Sequence, residues 1–197
     1  MSPRLPALVI ALALAGSCFP TTRQETGLVC WSLVNGDAES QALEGWTAQP
    51  PDAVAAVSSQ DQTSGVVTPQ HGEGFFSFAR QPAQQVSLTH SCSPAPVAKA
   101  CTLSGWVRTE HLGTPGDQAS AAVRYLDDAG TLMDETASEA HAPTSGDWQH
   151  FELRAEIPQG AGEIQVVLEG IGVDGERVNV FWDDLSLSCS DGVSGAS

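Results

Sequence analysis

The sequence predicts an all-β fold, an antiparallel β-sandwich, and three observations lead to this prediction. Short segments in which apolar and polar residues alternate recur along the chain. Turn-forming residues separate these segments, in a chain of 197 residues that contains 19 Gly and 12 Pro. From residue 27 onward, no segment has the periodicity of an amphipathic helix. A succession of roughly eight or nine short strands is typical of a two-sheet sandwich.

The strands are predicted one after another between turn signals. The residues DDAG at 127–130 are a hairpin signal, and the residues PQGAG at 158–162 are a second one. Residues 53–65 fit a strand and a loop equally well. The predicted strands are Leu28–Val34, a short strand around Trp46–Thr47, Gly74–Ala79, Gln85–His90, Thr102–Thr109, Ser120–Leu126, Asp147–Ile157, Glu163–Gly170 and Asn179–Ser188.

Alternation within single strands predicts one face in the core and one face outside. In TLSGWVRT, Trp106 and Arg108 lie opposite the apolar residues Leu103 and Val107. Each such strand combines an apolar face with a polar face that carries a large aromatic residue. In DWQHFELRAEIP, the apolar face is Phe151, Leu153, Ala155 and Ile157, and the polar face is Trp148, His150, Glu152 and Arg154.

The composition limits the possible partners. The chain has 24 Asp and Glu against 8 Lys and Arg, which gives a formal net charge of -16. The phosphates of nucleic acid repel such a polyanion, so we exclude nucleic acid as a partner. Hydrophobic residues make up 41% of the chain, which is enough to bury the core of one domain.

The N-terminus has the layout of an export signal. One Arg precedes an apolar run from Leu5 to Ala15, which is too short for a bilayer span of roughly 20 residues. The segment LAGSC resembles a bacterial lipobox, in which the Cys is lipidated after cleavage. We therefore expect a signal peptide at 1–17 and a lipid anchor at Cys18 as the one membrane contact. The protein would then be a lipoprotein of the cell surface or periplasm, and cleavage with secretion is the alternative.

The rest of the chain divides into three parts. Residues 18–26 are polar and are expected to form a tether. Residues 27–190 are expected to form the folded module. Residues 191–197 (DGVSGAS) are expected to be a disordered tail.

Four cysteines besides Cys18 allow three disulfide pairings in an exported chain. We favour Cys92 with Cys101, which closes a short loop, and Cys30 with Cys189, which joins the first and last strands. Reduced thiols are the alternative. Metal binding by these cysteines is disfavoured because the sequence contains no CxxC pair.

Two adjacent acids stand in a segment that otherwise predicts a core strand. In NVFWDDLSLSC, at 179–189, Asp183 and Asp184 follow three apolar residues. Because a strand points successive side chains to opposite faces, at least one carboxylate is expected to face inward or to lie at a sheet edge. A buried unpaired charge is costly, so a compensating group is expected next to it.

Five motifs follow one another in a characteristic order. They are LVNGDAESQALEGWTA, LSGWVRT, AAVRYLDDAGTLM, DWQHFELRAEIP and NVFWDDLSL, and they cover nearly all of residues 28–188. Together they resemble carbohydrate-binding modules of the CenC-like type, which share the galactose-binding-like jelly roll. The resemblance implies a jelly-roll sandwich that binds a polysaccharide or glycan and has no catalytic activity.

The resemblance also implies a structural calcium ion, held by an acid of the opening loop and an acid of the closing strand. Glu39 matches the loop position, and Asp183 or Asp184 matches the strand position. Asp37 lies in the turn whose carbonyl groups can also point at a cation, since calcium takes several oxygen ligands. Such an ion would neutralise the paired acids. A surface Asp pair with one member capping a loop is the alternative.

Glycan binding requires exposed aromatic rings that stack on sugars and polar side chains that hydrogen-bond hydroxyl groups. The alternative for the two Trp candidates is structural packing, and for Arg108 and Glu152 a cross-strand ion pair. Trp46 and Trp182 are expected to cover the core edges. If the outer faces of neighbouring strands form one surface, the candidates are Trp106, Arg108, Arg124, His150, Glu152 and Glu169, with Trp148 at the rim.

No motif of a known catalytic site is present. The 5 His have no zinc-binding spacing, and there is no nucleophile elbow or phosphate-binding glycine loop. We therefore expect a binding protein and not an enzyme. The second interpretation is an envelope protein that uses the same sandwich to contact another protein.

Overall fold

A computed structural model of the chain describes residues 32–40, 42–58, 67–78, 85–109, 118–138, 146–172 and 178–191. Within these ranges the chain is all-β and no helix could cross a membrane. The strands are β1 (Trp46–Gln49), β2 (Ala55–Ser58), β3 (Gly74–Ser77), β4 (Gln85–Cys92), β5 (Ala100–Thr109), β6 (Gln118–Leu126), β7 (Leu132–Ala137), β8 (Gln149–Glu156), β9 (Glu163–Ile171) and β10 (Val180–Ser190).

The described strands form two antiparallel sheets of five strands each. Sheet I has the order β1-β4-β9-β6-β7, and Sheet II has the order β2-β3-β10-β5-β8. The core cluster takes buried side chains from both sheets, such as Leu88 of Sheet I and Leu103 of Sheet II. The buried Tyr125 hydroxyl on β6 donates to the Ala155 carbonyl on β8 at 3.1 Å, which links the two layers. The predicted antiparallel β-sandwich is confirmed.

Alternation decides which side chains enter the core. Along β5 the buried residues Cys101, Leu103, Gly105 and Val107 alternate with half-buried residues that face outward. Strand β6 follows the same rule with Ala119, Ala121, Val123 and Tyr125 inside. The same period-two pattern that predicted the strands therefore sets their inner faces.

Trp182 lies at the centre of the core, whereas the sequence predicted it at a core edge. Its side chain is fully buried, and its ring lies 5.6 Å from Phe151 and 6.4 Å from Phe78, measured between centroids. Trp46 is also buried and packs 5.4 Å from Phe76. Burial of a large apolar side chain stabilises a fold by about 1.5–3 kcal/mol, so Trp182 is a principal core residue.

Two strands differ from the sequence prediction. The described part of the predicted first strand, residues 32–34, forms a bend and a turn, and residues 28–31 lie outside the described ranges. Strand β7 was not predicted, because it lies at the edge of Sheet I and most of its residues are exposed, so it has no apolar alternation. Residues 55–58, which the sequence left open, form β2.

The predicted disulfide pairing is wrong. Cys101 is bonded to Cys189, since the two residues stand directly opposite each other on β5 and β10. The predicted pairs Cys92–Cys101 and Cys30–Cys189 are therefore excluded. Cys92 is not the partner of Cys101, because the Cys101 sulfur is bonded to Cys189. Cys92 is also disulfide-bonded, and Cys18 and Cys30 lie outside the described residues.

His90 is a buried histidine in the core of Sheet I. Its Nδ1 has no hydrogen-bond partner, and its Nε2 accepts a long hydrogen bond of 3.4 Å from the Val34 N–H. The ring packs 5.1 Å from Trp46 and stands opposite Val166, neither of which carries a charge. Burial lowers the pKa of His90 from the usual 6.5, so the native state holds the neutral form.

We predict that His90→Gln weakens the pH dependence of stability. The unfolded chain binds the His90 proton more readily than the native state does, so native stability is lost as the pH falls below about 6.5 and is recovered above it. Glutamine keeps an acceptor for the Val34 N–H but does not titrate. Urea unfolding on both sides of this pH measures the difference. His150→Gln, at an exposed position, is the matched control for the His-to-Gln substitution. A parent-like pH dependence in His90→Gln would contradict the assignment.

Candidate functional site

The two acids of β10 lie at a β-bulge. The register of β10 on β5 shifts between Asp183 and Ser186, and Asp184 has a positive φ of 48°. Asp183 stands opposite Trp106, on the outer side of Sheet II, while its neighbour Trp182 points into the core. The bulge therefore keeps both carboxylates out of the main core, although Asp183 itself is fully buried under residues 70–71.

Backbone N–H groups compensate the buried Asp183 carboxylate. Its Oδ2 accepts from the N–H of Gln70 at 2.7 Å and of His71 at 3.0 Å, and its Oδ1 accepts from the N–H of Asp184 at 2.7 Å. Burial raises the pKa of Asp183, and these three donors oppose that rise. The costly carboxylate of the sequence analysis is thus satisfied by hydrogen bonds from the chain itself.

A second carboxylate holds the same segment from the other side. Glu39 Oε1 accepts from the N–H of Glu73 at 2.7 Å and of Gly74 at 2.9 Å. Gly72 lies between these anchors with a φ of +61°, and a Cβ there would come within 2.0 Å of Glu39 Oε1. Glycine is therefore required at position 72. We call residues 70–74 the anchored segment, since Glu39 and Asp183 together hold its backbone.

The anchored segment places His71 beside Trp106. His71 Nδ1 lies 3.2 Å from Asp184 Oδ2, and both side chains are more than half exposed. The Trp106 ring lies 6.4 Å from the His71 ring and 5.1 Å from the His150 ring, in edge-to-face arrangements. The three rings form a row across the outer face of Sheet II, with the half-buried Trp106 in the middle.

Hydroxyl groups continue this face next to Trp106. Ser104 and Ser186 are opposite each other, and their Oγ atoms lie 3.0 Å apart. In the next row Ser188 stands opposite Thr102. On the neighbouring strand β8, Glu152 pairs with Ser104 in register and Arg154 with Thr102. The row of rings therefore borders a surface of hydroxyl and charged groups.

The structure brings most of the predicted ligand residues onto one face. Trp106 and Arg108 on β5 share the outer side of Sheet II with His150 and Glu152 on β8. The alternative of a direct cross-strand pair between Arg108 and Glu152 is not supported by the register, because Glu152 stands opposite Ser104.

Trp148 packs against the sandwich at the start of β8, and its role in ligand binding stays a prediction. Its Nε1 donates to the Thr68 carbonyl at 2.8 Å, and its ring packs 6.4 Å from Phe75. Phe75, Phe181 and Val67 form a small second cluster outside Sheet II, and Trp148 packs against it. Trp148 therefore covers apolar side chains at the rim of the candidate face.

Arg124 and Glu169 belong to a different surface, which corrects the single predicted face. They lie on β6 and β9 of Sheet I, on the opposite side of the sandwich from Trp106. The Arg124 guanidinium contacts Glu135 through Nε and lies 3.6 Å from Glu169 through Nη2. The sequence could not separate the two faces, because alternation defines inner and outer sides but not the sheet to which a strand belongs.

Sequence reasoning missed His71 and the hydroxyl groups of Ser104 and Ser186. His71 stands in a stretch without alternation, so no pattern connected it to β5 or β10. The serines were readable as outward positions on two predicted strands, but only the pairing of β5 with β10 puts them together.

The predicted calcium ligands do not form a described metal cluster. Within the described ranges, no group of three or more His, Cys, Asp or Glu side chains is placed to hold a metal. Asp183 and Glu39 each accept hydrogen bonds from two N–H groups of residues 70–74. Asp37 Oδ1 accepts from the Glu39 N–H at 3.3 Å, and Asp184 pairs with His71. Calcium binding stays a prediction.

Comparison with known proteins identifies the fold. No family model matches the sequence, and no curated protein matches it. The family 61 carbohydrate-binding module TmCBM61, solved with β-1,4-galactotriose, superposes with a TM-score of 0.58 at 19% identity over 80% of this chain and 97% of that one. The xylan-binding CBM22-1 domain of Xyn10C from Paenibacillus barcinonensis superposes with a TM-score of 0.54 at 16% identity over 83% and 95%.

The same sandwich also occurs within a larger protein. The enzymatically active domain of tailspike protein 4 from bacteriophage CBA120 has a TM-score of 0.58 at 13% identity, and the match covers 80% of this chain but 21% of the tailspike chain. Identities at this level show the fold alone. The described fold is that of the jelly-roll carbohydrate-binding modules.

We predict that Asp183→Asn destabilises the fold far more than Asp184→Asn. An Asn side chain has one acceptor oxygen, so it leaves at least one of the three buried N–H donors unpaired, at roughly 1–3 kcal/mol each. Asp184 is exposed, and its loss removes a surface pair worth about 1 kcal/mol or less. Urea unfolding of the two variants gives the comparison. Equal destabilisation would contradict the role of Asp183 as the anchor of residues 70–71.

Proposed function

We propose that the protein is a non-catalytic module that binds a polysaccharide or glycan on the outer face of Sheet II. The observation that carries the proposal is the half-buried Trp106 beside the hydroxyl rows of β5 and β10. An indole ring offers a flat apolar surface for a sugar ring. The adjacent Ser, Thr, Glu and Arg side chains offer donors and acceptors for sugar hydroxyl groups.

The geometry of the face suits an extended ligand better than a small buried one. Trp106 and His150 stand opposite each other on β5 and β8, and Ser104, Glu152, Thr102 and Arg154 continue along the same two strands. Neighbouring strands lie about 4.8 Å apart, and residues on one face repeat about every 6.8 Å, so the polar rows extend over more than one sugar unit. A polymer laid along β5 would contact Trp106 at one end and the hydroxyl rows beyond it.

The comparisons support this proposal at the level of fold. Two of the similar structures are named for glycan binding, one in complex with a galactotriose and one as a xylan-binding domain. The tailspike domain is named as enzymatically active, so the fold alone does not decide against catalysis. The absence of a catalytic motif in the sequence is the argument for a binding module.

We predict that Trp106→Ala strongly weakens binding to insoluble polysaccharides or array glycans. Loss of the stacking ring is expected to weaken binding by at least about tenfold, equivalent to about 1.4 kcal/mol. Arg124→Ala is the matched control, because it removes a charged side chain from the opposite side of the sandwich. The measurement is a pull-down over a polysaccharide panel together with a glycan array.

The two variants decide between the faces of the sandwich. Binding that survives Trp106→Ala and is lost in Arg124→Ala would move the site to Sheet I. If the parent binds no glycan in a broad panel, the proposed function falls.

An envelope module that contacts another protein is the second candidate function. The outer face of Sheet I favours it, since Ile171 is an exposed apolar residue there among polar neighbours, and Arg124 is engaged by two carboxylates. No aromatic side chain lies on that face among the described residues of β4, β6 and β9. Crosslinking in cells, with the site of the crosslinker at Thr89 of β4 or at Ser104 of β5, distinguishes a protein contact on Sheet I from one on Sheet II.

Calcium as a structural ion stays a proposal, supported by the resemblance of the opening loop and closing strand. If Asp37, Glu39, Asp183 and Asp184 held calcium, a chelator would remove binding energy from the native state and lower the melting temperature by several degrees. Calorimetry with calcium and with excess chelator makes the measurement. An unchanged melting temperature would contradict calcium binding. The backbone N–H groups would then be the partners of Asp183 and Glu39.

Export and a lipid anchor at Cys18 are also proposals. The disulfide between Cys101 and Cys189 supports export, because such bonds persist in oxidising compartments. Cells that express the chain are expected to incorporate a labelled fatty acid into the parent but not into Cys18→Ser. Release of the parent into the medium without label would favour ordinary secretion. We expect the lipid on Cys18 to be the one contact of the protein with the membrane. The anchored protein would then lie at the cell surface or in the periplasm.

A further inference from the structure

The outer face of Sheet II carries more carboxylates than guanidinium groups. Glu152 and Glu156 alternate with Arg154 along β8, and all three are exposed. Two more carboxylates, Asp183 and Asp184, lie on β10. The cation nearest to them along the neighbouring strand β5 is Arg108. The carboxylates therefore outnumber the guanidinium groups on this face.

Two carboxylates lie in the neighbourhood of Trp106, one beyond the His71 ring and one on β8. On the β10 side, Asp184 reaches toward the row of rings through its contact with His71. On the β8 side, Glu152 is the diagonal neighbour of Trp106, since Trp106 pairs with His150 and Ser104 pairs with Glu152. Diagonal neighbours in an antiparallel pair lie about 7–8 Å apart, which is within reach of a sugar ring stacked on Trp106.

An aromatic ring with carboxylates in its neighbourhood is a favourable environment for an ammonium group. The face of an indole attracts a cation through its quadrupole, and the attraction is greatest for Trp among the aromatic residues. A carboxylate nearby accepts charge-assisted hydrogen bonds from the same group. A uronic acid in this position would instead meet carboxylates of like charge.

The net charge of the whole chain acts in the same direction. At -16 the protein attracts a polycation over distances comparable to the Debye length and repels a polyanion. The long-range field of the chain and the carboxylates near Trp106 therefore both favour a positively charged ligand.

We propose that the Trp106 face prefers glycans with free amino groups, that is hexosamine polymers, over their N-acetylated and acidic counterparts. This inference rests on the proposed glycan binding and adds the class of sugar. Trp106 supplies the stacking surface. Glu152 and Asp184 supply the preference for the ammonium group.

The test is a titration of the full chain with two ligands of equal length, glucosamine oligomers and N-acetylglucosamine oligomers, at about pH 7. The free-amine oligomer is expected to bind at least about tenfold more tightly at low salt. This difference should shrink at about 0.5 M salt, where charges are screened. A polygalacturonate oligomer of the same length should not bind at low salt.

Variants assign the preference to the site. Glu152→Gln, which keeps the size of the side chain, is expected to weaken binding of the free-amine oligomer more than binding of the acetylated oligomer, so the ratio of the two affinities falls. Glu44→Gln is the matched control, because it removes one exposed carboxylate from the loop before β1 in the other sheet. Equal effects of the two variants would overturn the assignment to Glu152.

The remaining outcomes separate this inference from the proposed function. If both oligomers bind equally and Trp106→Ala abolishes both, the proposed function stands and the amine preference is overturned. If no oligomer binds, the proposed glycan binding and the amine preference are both overturned. If polylysine binds as tightly as the glucosamine oligomer and Trp106→Ala has no effect, general attraction to a polyanion explains the result and the inference is overturned.

Discussion

The face that we assign to ligand binding depends on two carboxylates that hold one short segment of backbone. Glu39 comes from the opening turn and Asp183 from the closing strand, and their oxygens accept N–H groups from opposite ends of residues 70–74. Hydrogen bonds to an ionised acceptor are roughly twice as strong as neutral ones. Two parts of the chain that are far apart in sequence therefore fix the path of a segment that has no regular structure of its own.

The position of His71 follows from this arrangement. The backbone N–H of His71 is held by Asp183, and its ring lies between Asp184 and Trp106. The bulge in β10 makes this possible, because it lets two consecutive acids serve the same side of Sheet II. A regular strand would have pointed one of the acids into the core beside Trp182. The strain of a positive φ at Asp184 is the local consequence.

The two outer faces of the sandwich have different chemistry, although both come from alternating strands. Sheet II presents aromatic rings, hydroxyl groups and unevenly distributed charge, whereas the described outer residues of Sheet I around Arg124 are polar and paired. The ligand residues that the sequence predicted on one surface therefore lie on two surfaces of different chemistry. It also makes the faces separable by experiment, since a change on one side of the sandwich leaves the other side intact.

The sequence by itself determined most of the strands and their inner faces, because alternation is a local property of two neighbouring side chains. It also identified the pair of Asp183 and Asp184 as acids of which at least one needs a partner, and Trp106 and His150 as outward residues. The partners depended on the tertiary structure. Cys101 meets Cys189 because β5 pairs with β10, and Arg124 is separated from Trp106 because β6 joins the other sheet. Strand pairing joins segments distant in sequence, and no local pattern records which segments meet.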